Sequence, residues 1–422
     1  MDGAGIYMYY SRTCNISSNI AKYNEFGMFV YGSTDSVFAN NIVANNSNMG
    51  FSIFYDSNRN ILKNNIVDSN KDGISIILSP ECTLISNIVT NNNNGIAIAH
   101  GSPSCNMSQN IMSGNKYNFG VSGGKLEDYI HYIDTSNKIN GLSIYYMVNQ
   151  HGLTVNPTTF PECGYLAFVN STDVTVENFE LANSNNGVLL VYTNGSTINN
   201  CTVRNNVYGM KLFFSSHNTI SNNTVVQNSP NGGICLTKSD QNLILSNNIT
   251  GNDNNGISIA ESNGNSMSGN TIGSNDNGVM LISSSDNTFV YNTFSHNIYG
   301  IWLTGSSNNT VYLNNFIENL YQVYDPSQLS ASSMSSSNKW DNGSKGNYWS
   351  DYIGNDANGD GIGDTSYVIN SNNKDNYPLM HQVVIPEFST VALLLTLMVT
   401  GCMIVCLRKR KSQTPSFFSF LD

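Results

Sequence analysis

Charge is what this sequence has least of. Only 11% of its 422 residues are charged and the formal net charge is −11, against roughly 25% charged in an average soluble domain. So few bases exclude a nucleic-acid groove, and so few acids exclude an acidic disordered tail. Clustered metal ligands are missing as well. The eight cysteines and six histidines are scattered without a CxxC, so no preformed copper or zinc centre is written into the spacing. Stretches of Ala, Glu or Lys that would favour helix hardly occur. No signal-peptide pattern opens the chain, because Met1 lies four residues before the first glycine of the repeat described next. An exported protein would be expected to carry that signal further upstream.

Asparagine, serine and glycine fill the space those absences leave. Such a composition fits a low-complexity polymer, yet the apolar residues keep register. Glycines recur at Gly5, Gly27, Gly50, Gly73 and Gly95, then at Gly164, Gly187, Gly209, Gly233, Gly256, Gly278 and Gly300, in steps of 22 to 24 residues. From the last five, aliphatic residues stand at +1 and +3, as in Ile257/Ile259 and Ile301/Leu303. Asparagine stands at +9 (Asn218, Asn242, Asn265, Asn287, Asn309) and at +14 (Asn223, Asn247, Asn270, Asn292, Asn314), with apolar residues at +11 and +16. This is the two-residue alternation of short strands, three to a turn. The pattern predicts an all-β right-handed parallel β-helix of about a dozen rungs, with aliphatic side chains inside and stacked asparagines at the corners. A leucine-rich repeat has an overlapping period, but two asparagine columns and pervasive β-branching favour the β-helix.

The array resembles the parallel β-helix repeats of NosD-like proteins in the pectin-lyase-like superfamily. The resemblance implies a surface or periplasmic protein and brings a copper-binding label with it. In the repeat, Cys14 and Cys82 replace asparagine at +9 and Cys201 replaces it at +14. Cys14 and Cys82 are three rungs apart, roughly 14 Å, too far for a shared metal or disulfide.

The spacing divides the chain into a first array (1–120), an insertion (121–163), a second array (164–325) and a Ser-rich linker with an aromatic cap (326–385). The insertion holds the densest ionisable set, Glu127, Asp128, His131, Asp134 and Lys138. His131 and Asp134 are candidates for acid–base chemistry, though a solvated hairpin packed on the side of the coil is the plainer expectation. The string "KWDNGSKGNYWSDYIGNDANGDGIGDTSYVI" holds two of the three tryptophans and resembles the end of archaeal NosD-like proteins. Within it Asp356, Asn358, Asp360 and Asp364, with the carbonyl of Ile362, have the oxygen spacing of a calcium loop. Tyr367 stands where an EF-hand has its last glutamate, so structural calcium without an EF-hand is expected, with Asp375 a further candidate ligand.

Residues 386–411 combine a Pro386-Glu387-Phe388 triplet, an apolar run at 388–407 and the basic cluster Arg408–Lys411. The run is long enough to cross a bilayer, with the basic cluster on the cytoplasmic side. The triplet resembles an archaeal sorting signal read by a membrane protease-transpeptidase, and the tail 412–422 departs from that pattern. Sequons at Asn170, Asn194, Asn248 and Asn342 fit a surface protein.

Two functions follow. A membrane-anchored, extracellular, non-catalytic β-helix would bind carbohydrate or another cell-envelope polymer. Alternatively, a polysaccharide lyase, hydrolase or epimerase would need converging carboxylates. Asp253 and Asp276, both at +20 on neighbouring rungs, are the candidates for that chemistry. Copper rests on the family label alone.

Overall fold

The structure, a computed structural model, describes residues 3–326 and 336–385. Residues up to Val383 form one compact unit. The sorting motif, the apolar run 388–407, the basic cluster and the tail lie outside the described residues. Among the described residues no helix is long and apolar enough to cross a membrane.

Unit one is a parallel β-solenoid. Its longest sheet runs through 15 strands, more turns than expected, because the segment between the arrays adds turns of its own. At +1 and +3 the aliphatic side chains point inward: Met210, Ile234, Ile257, Val279 and Ile301 stack in register and are at most 1% exposed.

Corners explain the composition. A residue in left-handed conformation precedes each ladder residue, as Asn40 (φ 57) precedes Asn41 and Asn222 (φ 55) precedes Asn223. Short polar residues tolerate that conformation best. The next residue turns its amide into the coil. Asn223 donates from its backbone N–H and its Nδ2 to Oδ1 of Asn247 (2.9 and 3.0 Å), and Asn247 does the same to Asn270 (2.9 and 2.9 Å). The asparagine ladders number three rather than two. A further asparagine column stands at +19 (Asn228, Asn252, Asn275, Asn297, Asn319), and serines from Ser215 to Ser306 form another at +6. Rung glycines are required by crowding. A Cβ on Gly209 would lie 2.6 Å from the carbonyl of Gly233 and 2.6 Å from Val225 Cγ1.

The segment 121–163 is not a hairpin packed on the side. Tyr132–Ile133 and Lys138–Ile139 stack on the strands of the preceding rung, Asn106–Ser108 and Ile111–Ser113. The chain then reverses through Asn140 (φ 49) and Gly141 (φ 86), and Leu142–Val148 pairs antiparallel with Lys138–Ile139. From there parallel stacking resumes with Cys163–Val169. The third-side sheet of the first array thus becomes the long-strand sheet of the second. Its two faces serve different cores: Ile139, Ile144, Tyr165, Ala167 and Val169 join the first, and Leu166 and Phe168 the second. Strand direction and interior side reverse together, so the hand of the coil is unchanged.

The far end is closed by residues from 336 onward. Phe316, Trp349 and Tyr367 stack with centroids 4.3 and 4.2 Å apart. Two ladders end there on fixed acceptors. Asn309 bonds Asn338, which bonds Asn373, while Asn314 bonds Asn347, which bonds the carboxylate of Asp375. The Trp340 and Trp349 indoles donate to the same two terminal acceptors, Asn373 and Asp375 (3.1 and 2.9 Å).

Burial pushes the Asp375 carboxyl up to about 6 despite those donors. A carboxyl raised on folding stabilises the protonated form, so its contribution is present below the unfolded value near 3.8 and lost as pH rises through about 6. Thermal melts are therefore expected to show the cap gaining stability from pH 7 to pH 4. Asp35, held near 2 chiefly by the Arg59 guanidinium, acts the other way below that window. A melting temperature flat between pH 7 and 4 would contradict this.

Candidate functional site

The acid–base candidates are not brought together. Asp253 and Asp276 lie on exposed corners, one accepting from the Ser229 hydroxyl (2.6 Å) and the other from the Asn254 N–H (3.2 Å). Neither has an ion-pair partner among the described residues. Asp134 closes its own turn by accepting from Ser136 and Asn137. His131 is a ladder residue, 3% exposed. Its Nδ1 accepts from the Cys105 N–H (3.3 Å), as an asparagine Oδ1 does elsewhere, which leaves Nε2 to donate to the Asp128 carbonyl (2.9 Å). Burial pulls its pKa down to about 4, so it stays neutral. The rest of the set is occupied too: Asp128 accepts from the N–H groups of Gly101 and Gly124, and Lys138 donates to the Ser143 hydroxyl.

Copper finds no fitting donor set. Cys82 and Cys105 stand one rung apart in the ladder that ends at His131, and both are fully buried. Their thiols donate to carbonyls of the corners, Cys82 to Ser57 (3.4 Å) and Cys105 to Ser102 (3.3 Å). Both nitrogens of His131 are engaged. Among the described residues no three His, Cys, Asp or Glu side chains converge as metal ligands.

The loop 356–364 offers hard oxygen donors of the kind calcium takes. It wraps around Asp356, whose carboxylate accepts from the N–H groups of Gly359, Asp360 and Gly361 (2.8, 3.2 and 2.8 Å). Asp364 accepts from the Ala357 N–H (2.9 Å). Gly359 and Gly361 hold positive φ of 73 and 83. Asp375 takes no part, being spent on the Trp349 ladder end.

A different surface emerges from the outward-pointing positions of the second array. On the 15-stranded sheet the +2 column reads Ala167, Leu189, Lys211, Cys235, Ser258, Met280, Trp302 and Tyr324. Its first members are apolar because they face the core of the first array. The last long strand of that array ends against them, Asn118 and Phe119 bonding the backbone at Asn183 and Asn185. Beyond this step the face is open. Its floor is mixed, with Cys235, Ser258 and Met280 in that column, Thr237 and Ala260 two residues along, and the amides of Asn255 and Asn277 beside it. At the far end Tyr299, Trp302, Tyr321 and Tyr324 form one aromatic cluster, with Trp302 4.7 Å from Tyr299 and 4.5 Å from Tyr324. Lys211 to Trp302 is four rungs, roughly 19 Å.

The sequence reading stopped at +1 and +3. Reading the +2 column would have exposed the change from aliphatic at Ala167 and Leu189 to aromatic at Trp302 and Tyr324, with Lys211 between. Stacked outward rings also occur on the first array, where Tyr9, Tyr31 and Tyr55 lie face to face at 5.6 and 5.1 Å. The outward column beside them runs from Phe29 through Ser52 and Ser75 to Ala97.

A family model described as periplasmic copper-binding protein (NosD) matches residues 135–354, and one described as right handed beta helix region matches residues 1–140. No curated protein matches the chain. Solved structures similar to it include a double mutant of the periplasmic alginate epimerase AlgG (14% identity, 74% of each chain, TM-score 0.31). The A-module of the mannuronan C-5 epimerase AlgE4 from Azotobacter vinelandii is another (14% identity, 77% of this chain and 78% of that one, TM-score 0.27). A third is tailspike protein 3 of bacteriophage CBA120 (10% identity, 81% and 52%, TM-score 0.27). At these scores the likeness carries no statement about activity.

Proposed function

The chain belongs to the family described as periplasmic copper-binding protein (NosD), and from that premise we propose that it is a non-catalytic extracytoplasmic β-helix that binds an extended carbohydrate. The binding surface is the open outward face of its second array. The observation that carries this reading is the four-ring cluster around Trp302 at the end of an open outward face that also presents Ser258, Thr237 and asparagine amides. Aromatic rings stack on the apolar faces of sugars, and amides and hydroxyls suit their hydroxyl groups. Enzymatic chemistry is the weaker reading, since Asp253 and Asp276 are neighbours on exposed corners with no basic partner among the described residues, and His131 and Asp134 are engaged in a ladder and a turn.

Trp302 is half-buried on the outward face of the sheet and takes no part in the core, so Trp302→Ala should leave the fold intact while lowering glycan affinity about tenfold or more. Isothermal titration of residues 1–385 against a panel of polysaccharide fragments checks this. Release of shortened or unsaturated products during that titration would favour the enzyme.

Two further proposals complete the picture. Calcium held by Asp356, Asn358, Asp360, Asp364 and the Ile362 carbonyl would fix the loop beside the cap in a structural role. The cap is then expected to melt several degrees higher with calcium than with chelator, and Asp356→Ala should abolish the difference. The apolar run 388–407 would anchor the protein at the cell surface, with the Pro386-Glu387-Phe388 triplet offered to a sorting enzyme. A copper-maturation role receives no support from the donors described above.

A further inference from the structure

Lys211 stands where the open face begins, against the step made by the first array. Its ammonium is half-buried, packed 4.9 Å from the centre of the Tyr208 ring and 6.0 Å from that of Phe213. In register beside it are Leu189 on one side and Cys235 on the other. Among the described residues it has no carboxylate partner and no hydrogen-bond acceptor. The other half-buried cations among the described residues have one: Arg204 pairs with Glu180, and Lys138 donates to Ser143. Ring faces attract a cation but do not replace the water it has lost. Burial accordingly lowers the Lys211 pKa, while the Cys235 thiol opposes that shift.

We propose that this unpaired ammonium makes the face selective for an acidic glycan, with the carboxylate of one sugar seated on Lys211 and the chain running toward Trp302. The inference rests on the carbohydrate reading above and adds the charge of the ligand to it. Three features support it. An anion would supply the missing acceptors in a partly desolvated place, where an ion pair is stronger than in water. Glu261, a carboxylate on the rim of the face, is engaged by Lys238 at 3.7 Å. The orientation is also defined, because the cation and the aromatic cluster occupy opposite ends of one strand-perpendicular line of outward positions.

The test compares one backbone with and without its charge: a galacturonic-acid oligosaccharide and its methyl ester, titrated calorimetrically into residues 1–385 at low and at physiological salt. The acid is expected to bind about tenfold or more tightly than the ester, with the ratio shrinking as salt rises. Lys211→Gln should reduce the ratio to near one, while Lys211→Arg, which keeps the charge, should retain most of it. Both variants should melt as the parent does. Equal affinities for acid and ester, or a ratio that survives in Lys211→Gln, would overturn the assignment of charge while leaving Trp302-dependent glycan binding standing. Failure of both forms and of neutral glycans to bind would remove the carbohydrate reading, and this inference with it.

Discussion

Replacing Asn247 with alanine is expected to destabilise the second array by about 3–5 kcal/mol. Four hydrogen bonds disappear at once. The backbone N–H and Nδ2 of Asn223 lose their acceptor, the Ile220 carbonyl loses the Nδ2 donor, and Asn270 Oδ1 keeps only the backbone N–H of residue 247. All of these groups are buried, so water does not replace what is lost without opening the corner. Serine should cost less, because the protein uses it itself: Ser196 takes a ladder place at +9, accepting from Val174 and passing the ladder on to Asn218. Each rung rests mainly on its neighbours, so the loss should be local. Hydrogen exchange should show deprotection centred on the rungs of Asn223 to Asn270, with the first array little changed. Exchange that rises uniformly along the chain, or not at all, would mean that the ladders are not what fixes the corners.

The second large effect is expected at the cap. Trp349 is 1% exposed and lies between Phe316 and Tyr367 in a near-parallel stack, so Trp349→Ala empties the middle of the plug. Deleting a buried aromatic of this size costs about 3–5 kcal/mol. The loss here is compounded because Asp375 keeps its buried carboxylate and loses the indole donor. The last rung would then expose its apolar interior and unpaired strand edges, which favour association. A lower first melting transition, dye binding and concentration-dependent oligomers are the expected readouts. Phenylalanine at 349 should restore the stacking but not the hydrogen bond. Melting of Trp349→Phe midway between the two would separate those contributions.

Much of the coil could be read from the chain because its determinants are periodic. The inward pairs such as Ile257/Ile259 and the ladders at +9 and +14 repeat without exception over five rungs. The +19 ladder was hidden by its own surroundings, since Asn275 and Asn252 sit in runs such as "SNDN" and "GNDNN" where neighbours also supply asparagine. Outward residues obey no period. Lys211 and Trp302 share a column with Ser258 and Met280, so their meaning depends on which rung faces the first array and which faces solvent. His131 illustrates the opposite error: ionisable residues close together in sequence suggested chemistry, but His131 is consumed in a ladder, Asp134 in its own turn and Lys138 in a bond to Ser143. The chain reversal did leave a sign, the Asn140-Gly141 dipeptide, a strong hairpin signal.

That reversal separates two lengths that an unbroken coil would tie together. Rungs added or removed after Gly233 alter only how far apart Lys211 and the Trp302 cluster stand, one inter-strand step at a time, and leave the seam between the two cores untouched. The second array therefore works as a ruler whose gradations are whole turns, and a shortened or lengthened descendant could match a different stretch of polymer without redesigning either end.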